Sequence, residues 1–266
     1  MLELEYCELT DAGTVRDHNE DYFGHHIPAS PEEARTHGWL FVVADGVGGH
    51  ERGEVASLTA VEAVMEGFRV VPRGEAHTAS LPRIVQKANV KVYEAGRAGS
   101  PGGVNMATTV VACALRYDRA VIAHVGDSRC YLIRHGIAQQ LTRDHTVVAD
   151  QMRLGILSAE EAEQSEKRHL LSRSLGSDLF VNVEIDDHQV HAGDTLLLCS
   201  DGLYGSVKPG DIANLVAFNS DLAVAAAKLV ELAKERDGGD NITVQLIRIR
   251  DVERMGMYRG RPYKLR

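Results

Sequence analysis

The chain lacks the marks of several large protein classes. Its four cysteines, Cys7, Cys113, Cys130 and Cys199, are scattered and form no C-x-x-C pair, so nothing indicates a disulfide framework or a thiolate zinc site. Cys113, Cys130 and Cys199 lie in apolar runs, where a free thiol packs as a small hydrophobe. That usage fits a reducing cytoplasm better than an oxidising compartment. No uninterrupted apolar run approaches the ~20 residues of a membrane helix. The start, "MLELEYCELTDAG", has no basic stretch leading into an apolar core and is read as carrying no signal peptide. A basic excess is missing too: 29 Lys and Arg stand against 38 Asp and Glu, a net charge of −9, which weighs against nucleic acid as a partner. There is no internal repeat, no low-complexity tract and no G-x-x-x-x-G-K-[ST] phosphate loop, and Ser200 in "LCSDG" lacks the G-x-S-x-G setting of a serine nucleophile.

What is present reads as one globular domain over residues 1–250, followed by a basic tail over 251–266. Apolar residues make up 44% and charged residues 25% of the 266, ordinary values for a soluble protein of this size. The tail carries Arg254, Arg259, Arg261, Lys264 and Arg266 against Asp251 and Glu253, and is expected to be frayed and solvated. Strand-like runs cover 39–44, 107–141, 194–200 and 242–249, the second of them a meander that turns at Tyr117-Asp118-Arg119 and at His135-Gly136. Helical spacing covers 53–68, 81–96 and 221–235; Pro82 after a capping Ser80 opens the second and Asp221 caps the third. Between 145 and 175 the chain turns polar, with a capping box at Ser158 and Glu161, the pattern of a small helical flap over a site. The order lacks β-α-β alternation, which argues against a doubly wound parallel sheet. Two antiparallel sheets packed together, with helices on their outer faces, fit better: an α+β fold.

Aspartates stand at the ends of the apolar runs. Asp45 closes "LFVVAD", Asp127 closes "AVIAHVGD" and Asp201 closes "TLLLCSD", while Asp21 and Asp240 precede the runs that follow them. In an antiparallel sheet the end of one strand lies beside the start of its neighbour, so all five can gather at one rim. Gathered carboxylates repel unless cations neutralise them. Hard divalent ions such as Mg²⁺ and Mn²⁺ are the natural partners of an all-oxygen set. Each aspartate alone is ordinary turn chemistry; the set, with glycine beside four of the five, is not. Arg16 in "GTVRDHNED" offers a planar fork for a phosphate group.

"GTVRDHNED", "VVADGVGGHERGE", "ATTVVACAL", "AHVGDSRCYLI", "LTRDHT", "SRSLG", "LLLCSDGLYGSV" and "GGDNITVQLI" together resemble the motifs of the metal-dependent serine/threonine protein phosphatases of type 2C. Stand-alone bacterial members are the nearest in pattern. The resemblance implies a four-layer α-β-β-α sandwich with the site at one end of the central sheets. It implies two Mn²⁺ or Mg²⁺ ions held by Asp21, Asp45, the Gly46 carbonyl, Asp201 and Asp240, with Glu20 and Asn241 just behind. Asp127 matches an aspartate that serves a third ion in bacterial members, and Arg16 the arginine that contacts substrate phosphate. A water between the ions would attack phosphorus directly, reversing a serine/threonine kinase, and phosphorylated proteins would be the partners of an enzyme expected to be monomeric and cytoplasmic. Some relatives carry histidine where this chain has Val47, so protonation of the leaving oxygen is unassigned, with His50 and His145 as candidates. His169 stands where relatives commonly carry asparagine. The sequence leaves two alternatives: an inactive phosphoprotein-binding module, and a two-metal hydrolase of small phosphoesters.

Overall fold

The computed structural model describes residues 2–47, 52–98, 106–253, 255–258 and 261–264. Ten strands form two five-stranded antiparallel sheets. The first has the order β1 (Glu3–Asp11), β10 (Ile242–Asp251), β9 (Thr195–Cys199), β6 (Arg129–Arg134), β7 (Ile137–Gln140). The second has the order β2 (Asp21–His26), β3 (Trp39–Asp45), β4 (Val110–Arg116), β5 (Arg119–Val125), β8 (Glu184–Gln189). Central strands are apolar on both faces because both faces are covered. In β3, Leu40, Val42 and Ala44 pack outward against helices, while Phe41 and Val43 pack inward among Cys113, Ile122, Cys130, Leu196 and Leu198 from both sheets.

The outer layers are helical, as expected for the sandwich. On one side lie α2 (Gly53–Arg69) and α3 (His77–Arg97); on the other lie α6 (Asp201–Tyr204), α7 (Pro209–Phe218) and α8 (Leu222–Arg236). Asp221 caps α8 by accepting a hydrogen bond from the Ala223 amide at 2.8 Å. The meander turns where the sequence places it: Arg116 pairs with Arg119 across Tyr117-Asp118. Arg134 pairs with Ile137 across His135-Gly136, where φ is 51° and 74°, the left-handed pair that a tight hairpin requires.

Three differences from the sequence reading have physical causes. Helix α3 starts at His77, not at Pro82, and Ser80 does not cap it: the Ser80 side chain is buried, with its hydroxyl unpartnered. Burial of His77, Ser80 and Leu81 extends the helix upstream, and Pro82 leaves only the carbonyl of the exposed Thr78 without its helical donor. Strands β1 and β8 and helices α1 (Pro31–Thr36) and α7 were not anticipated. The two strands are sheet edges with polar, half-buried sequences (ELEYCELTD and EIDDHQ), which blunts the edge but also blurs the apolar signal. The tail is not simply frayed. Its backbone forms a hairpin of β11 (Met255–Tyr258) and β12 (Arg261–Lys264), which pairs amides that an unstructured tail would leave to water.

The polar excursion folds as α4 (Val147–Arg153) and α5 (Ala159–Glu163), the latter opened by the Ser158–Glu161 capping box. Its two ends are tied together: the Val147 amide donates to the Leu170 carbonyl and the Ser172 amide to the His145 carbonyl, both at 2.8 Å. No helix among the described residues is long and apolar enough to cross a membrane.

Candidate active site

Antiparallel pairing collects the aspartates at one rim. Asp21 and Asp45 are direct cross-strand partners at the end of the β2–β3 pair. Asp201 opens α6 directly after β9, and Asp240 precedes β10, the neighbour of β9. Asp127 lies on the link from β5 to β6, where the chain passes from one sheet to the other. Arg16, from the loop between β1 and β2, meets them there. Asp45, Asp127, Asp201, Asp240, Arg16 and Glu20 line a single open cavity of about 520 Å³, with Asp21 buried behind it at 6% exposure.

Hydrogen bonds hold the acids from behind. The Asp45 amide donates to Thr109 Oγ1 (3.0 Å), and the Asp45 carbonyl accepts from the Thr109 amide and from Thr108 Oγ1 (both 2.8 Å). Thr109 Oγ1 in turn shares a 2.6 Å hydrogen bond with Ser128 Oγ, beside Asp127. Ser200 Oγ donates to Asp21 Oδ2 (2.6 Å) while accepting from the Thr243 amide (2.9 Å). Asn241 ties the loop together: its Oδ1 accepts from the Glu20 amide (2.8 Å), and its Nδ2 donates to the carbonyls of Ala12 and His18 (3.0 Å each). Glycine is required at Gly46, where a Cβ would lie 2.4 Å from the Gly53 carbonyl oxygen. The same holds at Gly202, where it would lie 2.1 Å from that of Asn241.

The electrostatics are those of crowded anions. Burial first, and then the charges of Asp201 and Asp240, raise the Asp21 carboxyl to about 7 against the lowering by its hydroxyl donors. Burial and Asp201 raise Asp127 to about 7 as well. Asp45 is pushed well above the usual carboxylate range by burial and by Asp21, Asp201, Asp127 and Asp240. Asp21 Oδ1 is buried with no hydrogen-bond partner. An unsatisfied buried carboxylate oxygen amid like charges is costly unless a cation completes it. An all-oxygen donor set fits hard divalent ions. Among the described residues one arginine or lysine sits among these acids at hydrogen-bond distance: Arg16 Nη2 donates to Asp240 Oδ2 at 2.9 Å.

Residues 16–234 match the family described as Protein phosphatase 2C. The chain belongs to that family. It is 34% identical over 257 residues to the serine/threonine phosphatase stp of Listeria innocua, which covers 95% of this chain and 96% of the relative. Its fold matches the serine/threonine phosphatase PstP/Ppp of Mycobacterium tuberculosis with a TM-score of 0.81 and 32% identity, over 94% of this chain and 100% of the other. A structure of the PstP catalytic domain in complex with two manganese ions is similar at TM-score 0.79 and 33% identity, over 94% and 100% of the two chains.

In this protein phosphatase the histidine candidates fare differently. His50 lies outside the described residues. His145 does not line the cavity. It is 1% exposed, its Nδ1 accepts from the Gly126 amide (3.2 Å), and its Nε2 faces Glu184 Oε2 (3.1 Å). With both ring nitrogens engaged inside the protein, it is a strut between the flap root and β8. His124, His145 and Glu184 do bring ligand atoms within 4.8 Å of one another. The two rings, however, stack at 4.8 Å with a 16° tilt, so their in-plane lone pairs do not converge. Arg143 already occupies Glu184 at 2.6 Å. Among the described residues the histidine that lines the cavity is His169 of the flap, with Nδ1 3.5 Å from Asp201 Oδ2. The supports Thr109, Ser128, Ser200 and Thr243 lie in quoted motifs, but the sequence does not show what they hold, because each acts on a residue distant along the chain.

Proposed function

We propose that this phosphatase removes phosphate from phosphoserine and phosphothreonine in proteins at the aspartate-lined cavity, with Asp21, Asp45, Asp201, Asp240 and the Gly46 carbonyl holding two Mn²⁺ or Mg²⁺ ions. Asp127 would contribute to a third. When bound, such ions supply positive charge to a phosphoryl group and make water nucleophilic near neutral pH. The chain's own contribution is placement. Asp240 holds the Arg16 guanidinium at the cavity edge, leaving the rest of the fork to orient phosphate oxygens. Thr108 and Thr109 fix the Asp45 main chain, and Ser200 and Thr243 fix Asp21, so the acids need no reorganisation when charge develops.

The observation that carries this reading is the directly opposed Asp21–Asp45 pair, with one buried carboxylate oxygen unpartnered. Residues 1–250 form the catalytic domain, with the flap at 145–175 beside its mouth. The partners on this reading are phosphoproteins, the targets of a serine/threonine kinase, met by a monomer in the cytoplasm. The test is phosphate release from a phosphothreonine peptide in EDTA, in Mg²⁺ and in Mn²⁺. Turnover that requires a divalent ion supports the reading; a folded protein inert in both metals overturns it in favour of a phosphoprotein-binding role.

A further inference from the structure

The motif "SDGLYGSV" puts a tyrosine three residues after Asp201, within the single turn α6 (Asp201–Tyr204). Tyr204 is thus a rigid extension of the segment that carries the Asp201 carboxylate. Its hydroxyl donates a 3.0 Å hydrogen bond to the main-chain carbonyl of Asp127. Asp201 follows a strand of one sheet, and Asp127 lies on the link out of the other, so this bond crosses between the two halves of the rim.

The tyrosine ring is itself clamped. The Arg129 guanidinium carbon lies 3.5 Å from the ring centre, a close cation–π contact. Arg129 cannot swing away. Its Nε and Nη2 donate to Asp144 at 2.9 and 2.6 Å, and its Nη1 to Tyr131 Oη at 2.7 Å. Gln140 Nε2 also donates to Asp144 Oδ1 at 2.8 Å. On the other flank the Ser128–Thr109 bond ties the Asp127 link to Asp45. The Asp127 main chain is therefore pinned from both sides, by Asp45's supports and by Tyr204. Asp127 and Asp201 both line the same cavity.

We propose that Tyr204 is a positioning residue that sets the place of Asp127 relative to Asp201, and with it the affinity of the cleft for the third cation, to which Asp127 would contribute. The proposal rests on the metal-dependent reading above. Arg129 acts one step further back, by holding the ring at the angle that delivers the hydroxyl.

Stepwise Mn²⁺ binding, followed by the electron paramagnetic resonance signal of free Mn²⁺, tests this in wild type, Tyr204→Phe and Arg129→Lys, alongside thermal unfolding. Tyr204→Phe keeps the ring and deletes only the hydroxyl. It is expected to weaken the weakest Mn²⁺ step by roughly three- to tenfold, the factor one neutral hydrogen bond carries, and to leave the tighter steps within about twofold. Arg129→Lys, which keeps the charge but loses the fork and the flat contact, is expected to weaken the same step. Two results overturn the proposal: unchanged binding at every step in Tyr204→Phe, or a parallel loss at all steps together with a fall in unfolding temperature, which marks a merely structural role. A wild type that binds no Mn²⁺ overturns the metal-dependent reading itself, and this proposal with it.

Discussion

Asp21 and Asp45 stand directly opposite one another across the β2–β3 pair, two acids in the position where like charges destabilise a sheet. Nothing in packing calls for that arrangement. The cost is electrostatic and concentrated on Asp45, whose carboxyl is raised well above its ordinary range by burial and by four neighbouring aspartates. A raised carboxyl in the folded state means that ionisation favours the unfolded chain, so stability is lost as pH rises. At pH 8 without metal, Asp45→Asn should therefore stabilise the protein and raise its Tm. Added Mn²⁺ should raise the Tm of wild type more than that of the variant. Scanning calorimetry in EDTA and in Mn²⁺ checks both; a variant less stable than wild type in EDTA contradicts the account.

Arg16 and Asp240 form an exposed ion pair, with side chains 44% and 41% accessible. Such a pair contributes little to stability, so its value is in what the guanidinium can still grip. Arg16→Lys keeps the charge and loses the planar fork. It is expected to lower kcat/KM for a phosphothreonine peptide by about tenfold, the scale of one charge-assisted hydrogen bond. Its urea midpoint should match wild type. Steady-state kinetics beside urea unfolding separate the two; a stability loss equal to the activity loss would assign Arg16 to the fold.

His77 is buried at the start of α3 and donates Nε2–H to the His37 carbonyl at 2.7 Å. Burial, with Arg116 adding to it, lowers its pKa to about 4. A histidine that resists protonation in the fold costs stability as pH falls below its unfolded value near 6.5, and the loss levels off near pH 4. Between pH 7 and pH 5 the contribution is about 2 kcal/mol. Urea unfolding at the two pH values should show His77→Gln losing less than wild type by that order; equal losses would mean that His77 is not the group responsible.

The sequence exposed the parts of this molecule whose signal is local. Apolar runs that end in aspartate mark β3 and β9 and bring Asp45 and Asp201 to the rim, while Asp221 and the Ser158–Glu161 box mark helix starts chemically. What stayed hidden depends on contacts between distant segments. The edges β1 and β8 carry several charges and few large apolar residues, and α3 begins where burial of His77 places it, not where proline punctuates the chain. Among the histidines, His145 looked as available as any in a polar stretch. Only the fold shows it enclosed between Gly126 and Glu184, while His169 faces the cavity. The clamp on Tyr204 joins residues from β6, its link and α6, and no spacing in the sequence announces it.

Five aspartates gathered at one rim, four of them neighbours of Asp45, are proposed to hold divalent ions for phosphoester hydrolysis. The most direct test is phosphate release from a phosphothreonine peptide by wild type and Asp45→Ala at saturating Mn²⁺, with unfolding followed on the same samples. The account predicts a folded variant whose turnover falls by at least about a thousandfold, as expected when metal-supplied charge stabilisation of several kcal/mol is lost. A folded Asp45→Ala protein that turns over at the wild-type rate would contradict it.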